Sequence, residues 1–385
     1  MLSFRDNKIL FDQKRCCQCG VCLASCEYGA LKRIWLDNGL FRIESDAEKC
    51  TKCLKCLKTC PAPMLPDILV TEKDWQAIQQ VYLGNSVDDN VRYAASSGGV
   101  ARALLHGALK TDLCQAAYAV LEADAYPWAT GGYFTGESND TRIANSKYLP
   151  VPMCENLLPR ESGTLIVTGT HCQLLAVDAF YKNSDVKLIK IGLLCKQQKT
   201  LDFSRFIAKR LGVVDYRNTP INFRGEGWPG TMTIQEKKML WEKAAALPFG
   251  KRLWSVPGCR FCNHPLGSVA DVTLADPWNI VDSEWKGMTM ILVRTLTGQM
   301  LLETCRTLIE LKSIEPEKAK RSVDWQGIQL ERERTDYYCG RLMSKPKRLK
   351  FKMGELQRSM YEALLISIRF PEPIYKILNH LPYWG

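Results

Sequence analysis

Two cysteine runs within the first 60 residues constrain this chain more than any other feature, because they hold nine of its 17 cysteines. The first run has the spacing Cys16-x2-Cys19-x2-Cys22-x3-Cys26, and the second has the spacing Cys50-x2-Cys53-x2-Cys56-x3-Cys60-Pro61. Three closely spaced thiolates on a tight loop can hold three irons of one cubane, and the fourth cysteine of such a run ligates the other cluster. The spacing therefore predicts one 4Fe–4S cluster on Cys16, Cys19, Cys22 and Cys60, and a second on Cys50, Cys53, Cys56 and Cys26.

Two zinc sites are the alternative interpretation of these runs. Zinc usually takes separated Cys-x2-to-4-Cys pairs and often histidine, and no histidine precedes His106. The spacing therefore favours two cubanes over zinc. The additional Cys17 is expected to be a bystander rather than an alternative ligand.

Asp37-Asn38-Gly39 separates two apolar stretches between the cysteine runs, which predicts a β-hairpin. The runs and the hairpin together resemble a two-cluster ferredoxin domain of α+β class, which we assign to residues 1–65. The proline-rich segment from Pro61 to Pro66 breaks regular structure and predicts the domain boundary. By itself such a domain indicates electron transfer only.

Residues 66–321 alternate between strand and helix patterns, which predicts a mixed α/β domain. Predicted strands cover 116–121, 164–168, 187–194 and 289–293, and predicted helices begin at Val100 and cover 300–311. Ser96-Ser97-Gly98-Gly99 precedes the first of these helices. A hydroxyl cap with small residues would leave backbone amides free for a phosphate, although a plain helix cap is the alternative.

Composition and charge limit the class of protein. Apolar residues make up 46% and charged residues 24% of the chain, which excludes a disordered chain. We find no pattern of a secretory signal or a membrane-spanning segment, so we expect a cytoplasmic protein whose cysteines bind metal. The net charge is +11, and Arg341 to Lys352 holds six cations and no acid. That run is either a solvated face or a contact for an anionic partner, and no nucleic-acid module is evident.

Four later cysteines predict a third metal site. Cys172 and Cys195 each follow a predicted strand, and Cys259-x2-Cys262 forms a close pair. Strand ends at one edge of a sheet converge, so the four thiols could meet there. The residues alone leave zinc and iron open.

Seven short segments, in order, resemble the beta subunit of the coenzyme F420 hydrogenase and dehydrogenase family. They are Ser97-Gly98-Gly99-Val100, Ser146-Lys147-Tyr148, Gly169-Thr170-His171-Cys172-Gln173, Gly192-Leu193-Leu194-Cys195, Phe223-Arg224-Gly225, Cys259-Arg260-Phe261-Cys262 and Ala270-Asp271-Val272. The resemblance implies an iron–sulfur flavoprotein with FAD in the α/β body, beside a 4Fe–4S cluster on Cys172, Cys195, Cys259 and Cys262. Ser97, Gly98, Gly99, Lys147 and Arg224 would contact the cofactor.

The chain departs from that family at His171, Lys196 and Ala275-Asp276, where the family usually has proline, histidine and Gly-Asp. These positions would lie near flavin and substrate, so the substrate stays open. Lys147, Lys196 and Arg224 could hold flavin phosphate or an anionic substrate. His171 or His264 could donate a proton, although a hydrogen bond near the cluster or a surface position is the preferred interpretation.

A chain with clusters and a flavin joins one-electron donors to two-electron chemistry. We therefore expect an oxidoreductase that exchanges electrons with ferredoxin or another redox protein. Its substrate would be coenzyme F420 or an organic molecule such as a tetrapyrrole-type reductase substrate. A non-catalytic electron-transfer subunit and a degenerate body without flavin are the alternatives. Residues 322–385 form a basic helical extension that either caps the body or contacts a membrane surface.

Overall fold

The computed structural model describes residues 3–5, 8–135, 142–215, 219–281 and 286–383, with the backbone alone for 3–5 and 8–10. The strands are β1 Ser3–Arg5, β2 Lys8–Leu10, β3 Leu31–Trp35, β4 Phe41–Ser45, β5 Gln80–Ser86, β6 Ala116–Glu122, β7 Ala129–Phe134, β8 Ser162–Thr170, β9 Asp185–Leu193, β10 Ile221–Asn222, β11 Thr231–Ile234, β12 Lys237–Leu240, β13 Val272–Ala275, β14 Thr289–Val293 and β15 Ile309–Ser313. The helices are α1 Val21–Ala24, α2 Lys55–Lys58, α3 Glu72–Gln76, α4 Asp89–Ala94, α5 Val100–Lys110, α6 His171–Tyr181, α7 Leu201–Leu211, α8 Trp241–Gly250, α9 Leu296–Thr304, α10 Pro316–Ser322, α11 Trp325–Tyr338, α12 Lys345–Ser367 and α13 Glu372–His380. Met153–Asn156 and Pro257–Phe261 are short 3₁₀ turns.

An eight-stranded mixed sheet forms the centre of the body, in the order β15-β5-β14-β13-β9-β8-β6-β7. Its four middle strands β13, β9, β8 and β6 are parallel, and the outer pairs are antiparallel. β8 and β9 pair over their full lengths, from Ser162–Asp185 to Thr170–Leu193. Helix α6 joins them, as a parallel pair requires. The carboxyl ends of β8, β9 and β13 therefore lie at one edge of the sheet.

The predicted hairpin is confirmed as β3 and β4, paired from Leu31–Ser45 to Trp35–Phe41. Its tip lies against the body, where the Leu201 amide donates to the Asn38 carbonyl at 2.7 Å. The Tyr126 hydroxyl donates to the Gly39 carbonyl at 3.0 Å. The hairpin therefore fastens the N-terminal segment to the body.

Strands predicted at 116–121, 164–168, 187–194 and 289–293 are present as β6, β8, β9 and β14. The helix predicted over 300–311 is wrong in its second half. Helix α9 ends at Thr304, and the chain turns at Cys305 into strand β15, which pairs with β5. Ile309 and Leu311 alternate with polar residues, and this period of two matches the edge strand that they form.

The basic helical extension packs on the body. Helix α12 buries Phe351, Tyr361 and Leu365. Arg210 pairs with Glu372 at 2.6 Å, and the Lys251 ammonium donates to the Leu381 carbonyl at 2.8 Å. These contacts support the cap interpretation, while a membrane contact stays a prediction. Within the described ranges, no helix is both long and apolar enough to cross a bilayer.

Gly39 gives a test of the hairpin contact, with Gly29 as the matched control. Both have positive φ, 78° and 58°, and a side chain there costs roughly 1–2 kcal/mol. A Cβ at Gly39 would also overlap the Tyr126 hydroxyl and lie 2.7 Å from Leu201 Cβ, whereas Gly29 has open space. Gly39→Ala is expected to cost about 3 kcal/mol because overpacking adds to the backbone strain, against about 1 kcal/mol for Gly29→Ala.

Denaturant midpoints of the two variants measure this difference. Equal losses of stability would show that the hairpin tip does not depend on its contact with the body.

Candidate metal centres and the adjoining pocket

Four N-terminal thiols, Cys16, Cys19, Cys22 and Cys60, lie close enough to oppose one another's ionisation; we call them the inner group. Burial, assisted by the neighbouring Cys19, raises the pKa of Cys16 to about 11 and that of Cys60 to about 12. Burial, followed by Cys19, Cys16 and Cys60, also raises the pKa of Cys22. Cys60 comes from the second run, so its thiol lies beside thiols of the first run, while the exchange of the fourth cysteines between two clusters stays a prediction.

Four further thiols, Cys26, Cys50, Cys53 and Cys56, form the outer group. Burial raises the pKa of Cys56 to about 11, and Cys26, Cys53 and Cys50 add to the rise in that order. Cys56 is buried, whereas Cys53 is exposed. The outer group is therefore nearer to solvent than the inner group, in which Cys19 and Cys22 are buried.

The four later thiols Cys172, Cys195, Cys259 and Cys262 form the body group. Cys172 follows β8 at the start of α6, Cys195 follows β9, and the other two belong to the turn around Pro257–Phe261. Burial raises the pKa of Cys195, with Cys259, Cys172 and Cys262 as its next causes. Burial also raises the pKa of Cys259 to about 11 and that of Cys262 to about 12.

Each of the three groups brings together four thiols, which is the number of ligands that a 4Fe–4S cubane takes. In the part of the chain that the structure describes, no three His, Cys, Asp or Glu side chains converge closely enough to hold one metal ion. The thiols whose pKa is raised would lose their protons as a metal binds. The pKa of Cys19 and that of Cys172 are instead lowered, by hydrogen bonds with Cys154 and Cys17 respectively.

The inner group meets the body group across the domain junction. The Cys17 thiol is in hydrogen-bonding contact with Cys172 and Cys19, and the Cys19 thiol is in contact with Cys154. The Cys154 amide donates to the Cys19 carbonyl at 2.7 Å. A Cβ at Gly258 would overlap the Cys16 carbonyl oxygen, so the Cys16 and Cys259 loops pack backbone to backbone.

A cavity of about 670 Å³ lies beside the body group, within the size range of cofactor sites. Its lining includes the ends of β8, β9 and β13, at Thr168–Thr170, Leu193–Gln198 and Leu274–Asp276. Cys195 contributes to this lining, so the body group adjoins the cavity. The aromatic residues Tyr148, Trp241, Phe249 and Trp278 also line the cavity. Of these, the rings of Tyr148 and Trp241 are stacked with centroids 4.6 Å apart.

The Ser96-Ser97-Gly98-Gly99 segment before α5 contacts the cavity, but not through the hydroxyl cap that the sequence predicts. Ser97 and Gly99 line the cavity, but Gly98 does not, and its amide donates to Thr289 Oγ1 at 2.7 Å. Neither serine caps the helix, because Ser97 Oγ donates to the Met288 carbonyl and Ser96 Oγ accepts from the Ser146 amide. The cap is Gly99, with φ of 77°. The predicted hydroxyl cap is therefore wrong.

Lys147 and Lys196 line the cavity, and an acidic side chain partly neutralises the charge of each. Lys147 pairs with Glu122 at 2.6 Å, and Lys196 pairs with Asp324 at 2.9 Å. Both acids are at least 46% exposed, so water screens these pairs and an anionic ligand could compete for the lysines.

Arg224 also lines the cavity, but its donors already bind protein groups. It is 1% exposed and pairs with Asp276 at 2.9 Å. It also donates to the carbonyls of Pro229 and Ser96 and to the Tyr148 hydroxyl. An anion-binding role would require Arg224 to exchange these contacts, so the structure favours a positioning role for it in the wall.

His171 and His264 are stacked with centroids 4.3 Å apart. Neither lines the cavity, and His264 Nε2 lies 3.3 Å from Asp74 Oδ1. Burial lowers the pKa of His171 to about 3, so this ring is neutral at ordinary pH. The positions favour a structural pair behind the body group over a proton donor to a bound substrate.

Arg224 and Lys147 give contrasting predictions for stability. Arg224→Leu is expected to lower the free energy of unfolding by about 3 kcal/mol, because Asp276 would lose its buried partner. Lys147→Leu should cost less than about 1 kcal/mol, since Glu122 stays hydrated. Denaturant unfolding of both variants tests this, and similar losses would refute the positioning role of Arg224.

Comparisons with known proteins agree with this arrangement. Residues 15–64 match the 4Fe-4S dicluster domain family. Residues 81–157 and 163–317 match the N-terminal and C-terminal families of the coenzyme F420 hydrogenase/dehydrogenase beta subunit. No curated protein matches the chain.

Among solved structures, the chain is similar to one from the xenon-derivatised F420-reducing NiFe hydrogenase complex of Methanosarcina barkeri. The two are 16% identical with a TM-score of 0.48, over 67% of this chain and 88% of the other, a likeness too low to carry an argument. The chain thus contains, in order, segments that match the family models of a 4Fe–4S dicluster domain and of the N-terminal and C-terminal parts of the coenzyme F420 hydrogenase/dehydrogenase beta subunit.

Proposed function

We propose that the chain is an iron–sulfur flavoprotein oxidoreductase with three 4Fe–4S clusters and FAD. The outer group (Cys26, Cys50, Cys53, Cys56), the inner group (Cys16, Cys19, Cys22, Cys60) and the body group (Cys172, Cys195, Cys259, Cys262) would each hold one cluster. FAD would lie in the cavity beside Cys195. Electrons would pass between an external redox protein and a two-electron substrate.

One observation carries this proposal: the three groups of four thiols follow one another from solvent to the cavity. Cys56 neighbours Cys22 and Cys60 across the outer and inner groups. Cys17 bridges the inner group to Cys172, and Cys195 lines the cavity. Clusters supply one-electron steps, and a flavin can exchange one or two electrons.

The residues of the chain have separate tasks in this proposal. Arg224 and Asp276 hold the wall of the cavity through their buried pair. Tyr148, Trp241 and Phe249 line the cavity with aromatic side chains, an apolar surrounding that suits a planar ring system. Lys147 and Lys196 could bind the phosphates of the cofactor or an anionic substrate.

The substrate is proposed as coenzyme F420 or an organic molecule reduced at carbon, such as a tetrapyrrole-type substrate. The matched family is described as a beta subunit, which supports the second candidate, an electron-transfer subunit of a larger complex. The cavity of about 670 Å³ favours an enzyme. Activity of the isolated chain with reduced ferredoxin would separate the two.

Iron, acid-labile sulfide and flavin, measured on anaerobically purified protein, test the proposal. Three cubanes require about twelve irons per chain, with one FAD. Cys172→Ala is expected to lose about four irons because it removes one ligand of the body group. Cys17→Ala should keep about twelve, since Cys17 is no ligand in this scheme.

About eight irons and no flavin in the unmodified chain would contradict the proposal. Equal iron loss in Cys172→Ala and Cys17→Ala would contradict the assignment of ligands.

A further inference from the structure

Four lysines surround the outer group, at the end of the relay that faces solvent. Lys49, Lys52 and Lys55 each directly precede a cysteine of this group, and Lys58 follows at the same interval of three residues. All four lysines are exposed. We call these four residues the lysine patch.

No acidic residue interrupts the lysine patch in the sequence. From Lys49 to Lys58 there is no acidic residue, and the nearest acids in sequence, Asp46 and Glu48, lie before the patch. Lys55 pairs with Glu27, but both side chains of that pair are more than half exposed. Water therefore screens this ion pair, and Glu27 neutralises little of the positive potential of the lysine patch.

The lysine patch coincides with the most accessible thiol. Of the cysteines in the described chain, Cys53 is the one that is exposed. In the inner group, Cys22 packs with the hairpin and Cys19 packs with the body, and Cys195 of the body group is partly buried beside the cavity. An external protein can therefore approach a cluster most closely at the outer group.

We propose that the lysine patch is the docking surface for a small acidic one-electron carrier protein. The inference rests on the proposed relay and adds where the relay meets its partner. In the direction of reduction, one electron would leave the carrier, which is oxidised, and would reduce the cluster that the outer group would hold. No bond or proton changes place in this step.

Electrostatics suits this kind of contact. Electron-transfer complexes are weak and bury less than about 1,200 Å². The rate at which the two proteins associate therefore depends on electrostatic attraction that brings them together in the right orientation. A single-sign patch around the reacting group raises the encounter rate of an oppositely charged protein by roughly 10–10³-fold, and salt removes the effect.

The chain also offers a control surface. Helix α12 carries the exposed cations Lys345, Arg348 and Lys352, but it contains no cysteine. Neutralising three charges there changes the total charge as much as neutralising three in the lysine patch. The comparison therefore separates local docking from the overall field of the molecule.

The test is stopped-flow reduction of the holoprotein by a chemically reduced acidic ferredoxin, at increasing ionic strength. The test variant is Lys49→Gln/Lys52→Gln/Lys58→Gln, and Lys49→Arg/Lys52→Arg/Lys58→Arg keeps the charge. Lys345→Gln/Arg348→Gln/Lys352→Gln is the control. Iron content and the cluster potentials, measured by EPR titration, are determined for every variant.

We expect the glutamine variant of the lysine patch to lose at least about tenfold in second-order rate constant at low salt. The arginine and α12 variants should stay near the unmodified rate. Reduction by the methyl viologen radical, a cation, should be no slower in the glutamine variant. The unmodified protein should itself slow with rising ionic strength.

Three results would overturn the docking proposal: an unchanged rate, an equal loss in the α12 variant, or a loss explained by a shifted cluster potential. Absence of iron from the outer group in the unmodified protein would instead remove the proposed relay itself. The iron measurement distinguishes that failure from a failure of docking.

Discussion

The packing of the Cys16–Cys22 loop against the body is the contact on which the rest of the arrangement depends. The Cys19 carbonyl accepts from the Cys154 amide, and Gly20 lies so close to Pro152 that a Cβ would stand 3.0 Å from it. On the other side, Gly258 leaves room for the Cys16 carbonyl. Without these backbone approaches, the two N-terminal groups would be a separate electron carrier tethered to the body.

The surroundings of the body group are rich in buried cations, which suits a cluster with four thiolate ligands. Lys199 is fully buried, and its ammonium donates to Gln197 Oε1 and to the carbonyls of Pro248 and Leu253. Burial lowers the pKa of Lys199 well below its usual value, whereas the three acceptors, which match the three protons of an ammonium, favour the charged form. Burial dominates the pKa of Cys259 and raises it, whereas the charges of Arg252 and Lys199 act in the opposite direction.

The C-terminal extension completes these surroundings. Glu331 on α11 pairs with Arg252, and Glu355 on α12 pairs with Arg358 and Arg260. The extension thus braces the turn that holds Cys259 and Cys262, in addition to covering the body. These ion pairs link the helical cap directly to the residues around the body group.

Local patterns predicted much of the structure, and contacts between distant segments could not be predicted. The hairpin around Asn38-Gly39 and strands β6, β8, β9 and β14 follow from turn chemistry and hydrophobic patterns within short stretches. The contact of Cys17 with Cys172 had no signal in the sequence, because it depends on how the N-terminal segment packs on the body. The sequence suggested that Arg224 could bind an anion, because its pair with Asp276 joins segments that are distant in the chain. Trp241 opens helix α8 without any motif, so its place in the cavity had no signal in the sequence.

Spin–spin interaction between reduced clusters tests the central claim, that the three groups form one relay. In EPR spectra of the fully reduced holoprotein, we predict split or broadened signals from the neighbouring inner and body groups. Removal of the body cluster in Cys172→Ala should abolish that interaction, and Gly258→Ala should weaken it by separating the Cys16 and Cys259 loops. Three independent spectra, unchanged in shape by either substitution, would contradict the account.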